Sequence, residues 1–305
     1  MDFVKFAVRS GAGLAMSMGS VFAQETSTGL GRDEKKFTPT AEANWQVRYD
    51  AIQTELSNLG EHQWAGTYYY GDGLGVNARL TLAPQSGFVF IWTGCLGVYD
   101  RNFGDIVEVD HGHLKLNPTF ENLQQGFQGF AEELVPVTWG QRQYLIPVNN
   151  VVGFCDAVNS ESEPRRDAYG SYFLRRGDEK KPIQGVPAIP KEYQAYLLKE
   201  PIIAEIIAVK EAIMDEGIDG WIFHKTEVTL NVGRSKGVLP GMLFRLYEPR
   251  NFRTTCQANV LSVDEHTSTV LINQGSNARE NPNPPTEGWK LTTGLPDCKS
   301  RRDAG

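Results

Sequence analysis

Hydrophobic runs long enough to cross a membrane are absent from this sequence of 305 residues. A spanning helix needs about 20 predominantly apolar residues. The longest uncharged, apolar-rich stretch beyond the N-terminus, residues 86–99, has 14 residues and three glycines. We therefore expect no membrane span in the mature chain.

Positive charge is in the minority. The chain has 30 Lys and Arg against 37 Asp and Glu, which gives a formal net charge of −7. Proteins that bind nucleic acids neutralise phosphates with clustered Lys and Arg. The sequence therefore predicts no nucleic-acid partner.

Common catalytic signatures are also scarce. The zinc-protease pattern His-Glu-x-x-His and the Ser-x-x-Lys set do not occur. The glycine-rich stretch 71–75 lacks the Lys-Ser/Thr that follows a phosphate-binding loop. We predict no cofactor and favour a non-catalytic protein, although an enzyme whose site assembles from distant residues stays an alternative.

The N-terminus has the pattern of a secretory signal peptide. Lys5 and Arg9 precede an uncharged run, residues 10–23, that ends in Val21-Phe22-Ala23. Small residues at the third and last positions before a cut are typical of such signals. The sequence predicts a signal peptide over residues 1–23, cleavage after Ala23, and a periplasmic or extracellular mature protein.

Residues 24–60 are predicted to be a polar leader followed by an amphipathic helix. The helix has one apolar stripe at steps of four and three residues: Trp45, Tyr49, Ile52, Leu56 and Leu59. Thr40 can cap its start, and Gly60 can follow its end.

Residues 61–176 are predicted to be an antiparallel β domain, either a barrel or a curled sheet. Short β-runs separated by Gly, Pro and Asp lie near residues 66–71, 77–83, 87–93, 104–110, 113–117, 134–139, 142–148 and 169–175. Residues 88–92 are apolar on both faces, so the barrel interior and the helix should cover one face each. The similar stretches 66–69 and 170–173 suggest that the first and last strands are neighbours. A short helix is predicted over residues 149–158.

The aromatic side chains of this domain have two interpretations. They line a cavity for a small apolar ligand, or they form the core of the barrel. The candidates are Tyr68, Tyr70, Phe88, Phe90, Trp92 and Trp139.

The remaining chain divides into three parts. Residues 177–200 form a Pro-rich linker of the kind that acts as a semi-rigid spacer. Residues 201–297 contain five or six short strands and suggest a small barrel of the OB or SH3-like kind. Residues 202–214 are compatible with helix or strand, and we favour a strand over 202–209. Residues 298–305 are a tail.

One stretch of the second domain carries a resemblance. Asn231-x-Gly233-x-x-x-Gly237-Val238-x-x-Gly241-Met242-x-Phe244 resembles a pattern in small β-barrel domains of bacterial envelope proteins, including rod-shape and flagellar-ring accessory proteins. The resemblance covers about 14 residues and implies a tight connection between two barrel strands and a role in assembly.

The first domain is similar to lipocalin-like regions of exported bacterial proteins. This similarity begins at Trp64-x-Gly66-x-Tyr68. The usual lipocalin opening, Gly-x-Trp, is not present as such because Trp64 precedes Gly66. Ligand binding is therefore not carried over.

The four cysteines are Cys95, Cys155, Cys256 and Cys298. In an exported protein an even number suggests disulfides, and the simplest pairing within domains is Cys95–Cys155 and Cys256–Cys298. The alternative is buried thiols, since Cys155 shares a helical face with Val151 and Val158.

The pair His111 and His113 is the weak candidate for a metal site. Residues two apart on a strand share a face. However, residues 110–112 fall where a hairpin turn is expected, so we predict no metal.

These observations favour an exported, non-catalytic binding or assembly protein of the bacterial envelope with an envelope protein as partner. A carrier of a small apolar ligand in the first domain is the alternative interpretation.

Overall fold

The structure is a computed structural model that describes residues 39–71, 77–95, 97–109, 112–121, 131–161, 172–217, 220–246, 257–277, 279–281 and 283–294. The predicted signal peptide, the leader up to residue 38 and the tail lie outside these residues. Within the described ranges, none of the helices combines the length and apolar character that a membrane crossing requires.

Eight strands form a closed antiparallel barrel in which successive strands pair. The first and last strands close it, with Tyr68 opposite Arg175 and Tyr69 opposite Leu174. The predicted barrel is therefore confirmed. Its strands are β1 (Gly66–Gly71), β2 (Asn77–Ala83), β3 (Gly87–Gly94), β4 (Gly97–Val109), β5 (His113–Glu121), β6 (Glu133–Trp139), β7 (Arg142–Pro147) and β8 (Phe173–Arg175).

Helix α1 (Pro39–Leu59) lies on the outside of this barrel. Trp45 and Ile52 of its apolar stripe pack with Val89 and Phe103. The helix already includes Thr40, so the predicted cap lies one residue inside it. Gly60 follows the helix with φ 69°, as expected of a left-handed terminator.

Strand β3 is covered on both faces, as predicted. Phe88 and Phe90 belong to the barrel interior, whereas Val89 faces α1. Arg48 fastens the helix to the middle of the neighbouring strand β4, because its Nη1 donates to the carbonyl of Gly104 and to Oδ1 of Asp105, both at 2.8 Å.

A second cover lies over β6 and β7. A 3-10 turn (Val148–Asn150) leads into helix α2 (Val151–Asn159). Val151 and Phe154 of α2 pack against Val137 and Tyr144 on the outer face of the barrel.

The predicted linker 177–200 is not a separate spacer. It runs along the β6–β7 hairpin, where Arg142 Nε donates to the carbonyl of Lys181 at 2.6 Å and Gln143 N–H donates to Asp178 Oδ2 at 2.9 Å. Trp139 Nε1 donates to the carbonyl of Gly185 at 2.9 Å. A 3-10 helix (Lys191–Tyr196) follows. These contacts make the segment an additional layer on the first barrel.

The second domain is a six-stranded closed barrel with one further strand at its edge. The closure joins β9 to β11. Its strands are β9 (Ile203–Val209), β10 (Ile213–Glu216), β11 (Ile222–Leu230), β12 (Leu243–Leu246), β13 (Gln257–Val263), β14 (Ser268–Ser276) and β15 (Lys290–Thr292). The ambiguous stretch 202–214 is thus strand β9, a short connection and the start of β10.

The glycines of the pattern over residues 231–242 have a local physical reason. A Cβ on Gly233 would lie 2.4 Å from the carbonyl oxygen of Asp264, and Gly237 has φ 82°. Val238 and Met242 are buried in the core of the barrel. The stretch is a tight connection between β11 and β12 that packs on the β13–β14 turn.

Candidate functional site

The interior of the first barrel holds five of the six cavity candidates. Tyr68 and Phe88 have no exposed surface, and Phe90 is 1% exposed. Tyr70 and Trp92 are partly buried and pack against the same cluster. A void large enough for a ligand would leave accessible surface on its lining side chains. The three buried rings therefore form a filled core.

The sixth candidate, Trp139, lies elsewhere. It packs with Phe154 of α2 on the outer face of the barrel, with ring centroids 6.0 Å apart. Its assignment to the ligand cavity is therefore wrong. The cause is that α2 and residues 177–200 bury the outer face of β6 and β7, so a buried aromatic side chain on these strands need not point into the barrel.

The hydroxyl of buried Tyr68 makes hydrogen bonds at the edge of this apolar core. This hydroxyl donates to the carbonyl of Trp64 at 3.0 Å and accepts from Arg175 Nη2 at 3.1 Å. Burial raises the pKa of Tyr68 to about 12, although the charge of Arg175 opposes the rise. Tyr68 is a neutral hydrogen-bonding group at physiological pH.

Two buried polar residues of β4 were not among the sequence candidates. Asp100 and Asn102 are 1% and 0% exposed, and Asn102 Nδ2 donates to Asp100 Oδ2 at 3.3 Å. They lie opposite Trp92 and Phe90 in the register with β3. Asp and Asn favour turns, which is why the predicted strand began only at residue 104.

His113 bridges two carboxylates. Its Nδ1 lies 3.3 Å from Glu133 Oε1, and its Nε2 lies 3.3 Å from Glu192 Oε1. The carboxylates contact opposite sides of the ring, so they do not converge on one ion. In the described part of the chain, no group of three or more His, Cys, Asp or Glu residues is arranged to hold a metal. His111 lies outside that part.

Cys155 is a buried free thiol in α2. Burial raises its pKa to about 12, so the thiolate that would act as a nucleophile is strongly disfavoured. The predicted Cys95–Cys155 bridge is wrong, because Cys155 is enclosed by the apolar core whereas Cys95 lies exposed after β3. Cys256 and Cys298 lie outside the described residues.

Helix α2 also joins the two barrels. Asp156 accepts two hydrogen bonds from Arg245 of β12, one of them 2.9 Å long between Nη1 and Oδ1. Burial raises the pKa of the Asp156 carboxyl, and the contact with Arg245 counteracts part of the rise. Tyr196 adds a hydrogen bond of 3.0 Å from its hydroxyl to the carbonyl of Pro240.

Residues 233–237 have the Gly-x-Ser-x-Gly spacing of serine hydrolases, a signal that is readable in the sequence. Ser235 Oγ lies 3.2 Å from His266 Nδ1. Yet the surrounding N–H groups are already used: Lys236 donates to the carbonyl of Gly233, and Gly237 donates to that of Arg234. The N–H of the residue after the serine, here Lys236, is one of the donors that an oxyanion hole would need. Ser235 and His266 are both exposed, and the pair belongs to a tight turn.

Exposed apolar side chains are concentrated in one stretch of the second barrel, which comprises β9, β10 and the residue before β11. The described residues include eleven exposed large apolar side chains, and six of them fall within residues 203–221. They are Ile203, Ile207, Val209, Ile213, Met214 and Trp221. This group, which we call the β9–β11 surface, is the candidate site.

The loop after β14 is fastened to the barrel. Buried Gln274 donates from Nε2 to the carbonyl of Asn283 at 3.0 Å and accepts a hydrogen bond from Asn281. These two hydrogen bonds fasten the loop to the folded barrel at Gln274.

Comparison with known proteins does not place the chain in a family: no family model, no curated protein and no solved structure matches it.

Proposed function

We propose that the chain is an exported, non-catalytic binding or assembly protein of the bacterial cell envelope that contacts a protein partner through the β9–β11 surface. The grouping of exposed apolar side chains there carries the proposal. Ile203, Ile207 and Trp221 are 53%, 46% and 47% exposed. Apolar and aromatic side chains gathered on a folded surface are typical of protein interfaces.

Export rests on the sequence. The basic start, the short uncharged run and the small residues Val21 and Ala23 support a cut after Ala23. Protein purified from its host should then begin at Gln24. N-terminal sequencing checks this, and a chain that retains Phe3 contradicts it.

The non-catalytic assignment is supported by two nucleophile candidates that lack activation. Cys155 is buried with a raised pKa. Ser235 contacts a histidine but has no spare backbone donors beside it. Turnover that is lost on a single substitution, such as Ser235→Ala, would overturn this assignment.

The carrier alternative has less support. The interior aromatic rings of Tyr68 and Phe88 have no accessible surface. A bound apolar ligand would have to displace them, at the cost of the packing they make in the core.

Photo-crosslinking tests the proposed function with matched positions. A photoreactive phenylalanine analogue replaces Trp221 in one variant and Val107 of the first barrel in another. The two positions are 47% and 45% exposed. We expect a defined crosslinked protein adduct in host cells at position 221 and none at 107. Equal adducts at both positions, or none at 203, 207 and 221, would contradict the proposal.

A further inference from the structure

The second barrel has a projecting edge. Strand β11 pairs with β9 through Val228–Leu230 but with β10 through Ile222–Lys225. Strand β14 follows β11 as far as Ser276. Residues 213–216, 222–225 and 273–276 thus form a three-stranded extension, which we call the β10 arm.

Within the described residues, β10 pairs with β11 alone, so its other edge is open. All four residues of β10 are exposed. An open edge presents backbone N–H and C=O groups to which another extended chain can bind.

The register shows which backbone groups face outward. Gly217 N–H donates to the carbonyl of Trp221 at 2.7 Å, which makes 217 and 221 a hydrogen-bonded pair. Such pairs alternate along an antiparallel ladder. Ile213 and Asp215 therefore bond to β11, and Met214 and Glu216 direct their N–H and C=O groups to the open edge.

The side chains of β10 are apolar in its first half and acidic in its second half. Ile213 and Met214 are 67% and 58% exposed on opposite faces of the strand. Asp215 pairs with Lys225, while Glu216 is 85% exposed and lies 3.9 Å from Arg279. A strand added here meets apolar side chains at one end and carboxylates at the other.

This charge pattern selects the occupant. A second copy paired antiparallel through the outward groups of Met214 and Glu216 would set Met214 opposite Glu216 and Asp215 opposite Asp215. A parallel copy that bonds through the same groups is offset by one residue and would set Asp215 opposite Glu216. Both arrangements are unfavourable across strands, whereas basic side chains opposite the carboxylates are favourable.

We propose that the open edge of β10 binds an extended segment of a protein partner as an added strand, with apolar residues beside Ile213 and Met214 and basic residues beside Asp215 and Glu216. This inference rests on the proposed function and names the partner segment of that same surface. Charged residues on an edge also serve to prevent pairing, and the experiment separates these two roles.

The test uses the purified chain with two peptides as probes: acetyl-Lys-Val-Arg-Val-Lys-Val-Thr-amide and the same peptide with Glu at its three basic positions. Hydrogen exchange is measured at each amide. We expect the basic peptide to slow exchange at Met214 and Glu216 but not at Ile213 and Asp215, which already bond to β11. The acidic peptide should have no effect. Equal protection of all four amides of β10, or protection of none, overturns the proposal.

A matched pair of variants at residue 214 separates the loss of the outward N–H group from the effect of replacing the side chain. Met214→Pro removes one outward N–H, and the matched Met214→Thr keeps it. Glu216→Lys should lower the affinity for the basic peptide by about tenfold, because the charge at this position is reversed. Equal binding by all variants, or a dimer of the chain that Met214→Pro dissociates, would overturn the assignment. If crosslinking at residue 207 persists while the peptide test fails, the proposed function stands and the strand-addition mechanism does not.

Discussion

The two barrels share a closed antiparallel architecture but differ in what covers them. The first is covered outside by α1, by α2 and by residues 177–200. The second buries its interior, but its β9–β11 surface stays exposed. The difference teaches that barrel closure by itself leaves an outer face available, and that added layers remove it.

The largest expected effect comes from weakening the α1 cover. Ile52 is fully buried between the helix and the barrel. We expect Ile52→Ala to lower the free energy of unfolding by about 3 kcal/mol, because it leaves a cavity in a packed core. Chemical denaturation measures this.

The matched control for that substitution lies on the same helix. Val47 is 69% exposed, so Val47→Ala should change stability by less than about 0.5 kcal/mol. Equal effects of the two substitutions would mean that α1 does not stabilise the first barrel.

The next effect concerns the junction of the two barrels. Asp156→Ala leaves Arg245 without its carboxylate partner, and the two side chains are only 15% and 22% exposed. Because the pair is partly exposed, we expect the lost charge-assisted hydrogen bonds to cost about 2 kcal/mol and one unfolding transition to separate into two. Glu227→Gln, which breaks the more exposed pair with Lys210, should cost below about 1 kcal/mol. A single unchanged transition in Asp156→Ala would show that the barrels do not depend on this contact.

Most of the first barrel was predictable because its strands are punctuated by turn residues. The predicted β1 and β2 coincide with the observed Gly66–Gly71 and Asn77–Ala83. Closure followed from the likeness of the first and last strands. The alternating sequence of β6 places Val135, Val137 and Trp139 on one face, but alternation cannot tell the inner face from an outer face that a helix covers. This ambiguity produced the wrong position for Trp139.

The candidate site was less predictable. Strand β10 has four exposed residues, Ile213–Glu216, so no buried face gives it a period of two. The β9–β11 surface depends on which side of the closed barrel lacks a cover. That is a property of the tertiary arrangement, which the local pattern of residues 203–221 does not contain.

High pH should destabilise the first barrel more than the second. Burial raises the pKa of Cys155 from 9.0 to about 12 and that of Tyr68 from 10.0 to about 12. Because the folded pKa values are the higher ones, the stabilisation is complete below pH 9 and falls as the pH rises toward 12. For Cys155 alone the loss is about 1.4 kcal/mol per pH unit, or about 2 kcal/mol at pH 10.5.

Both groups belong to the first barrel and its cover, so that barrel should open first in alkali. Hydrogen exchange at pH 10.5 should show β1–β8 losing protection before β11–β14. Cys155→Ala should reduce the dependence on pH between 9 and 12. An unchanged slope in that variant would show that the thiol does not titrate differently in the folded and unfolded chains.

The smallest expected effect concerns the loop after β14, where the second barrel has its own partial cover. Replacing residues 277–285 with a short Gly-Ser linker removes Asn281 and Asn283, the partners of Gln274. Gln274 is 2% exposed, so its amide would lose hydrogen bonds that water does not readily replace. We expect a loss of about 1 kcal/mol in the free energy of unfolding. Gln274→Leu should cost about as much in the intact chain but little in the shortened one, because an apolar side chain has no hydrogen bonds to lose. Denaturation of the four proteins of this cycle measures the coupling. Additive effects would mean that the loop does not stabilise the barrel through Gln274. The second barrel would then lack a stabilising cover there, as it does on its β9–β11 surface.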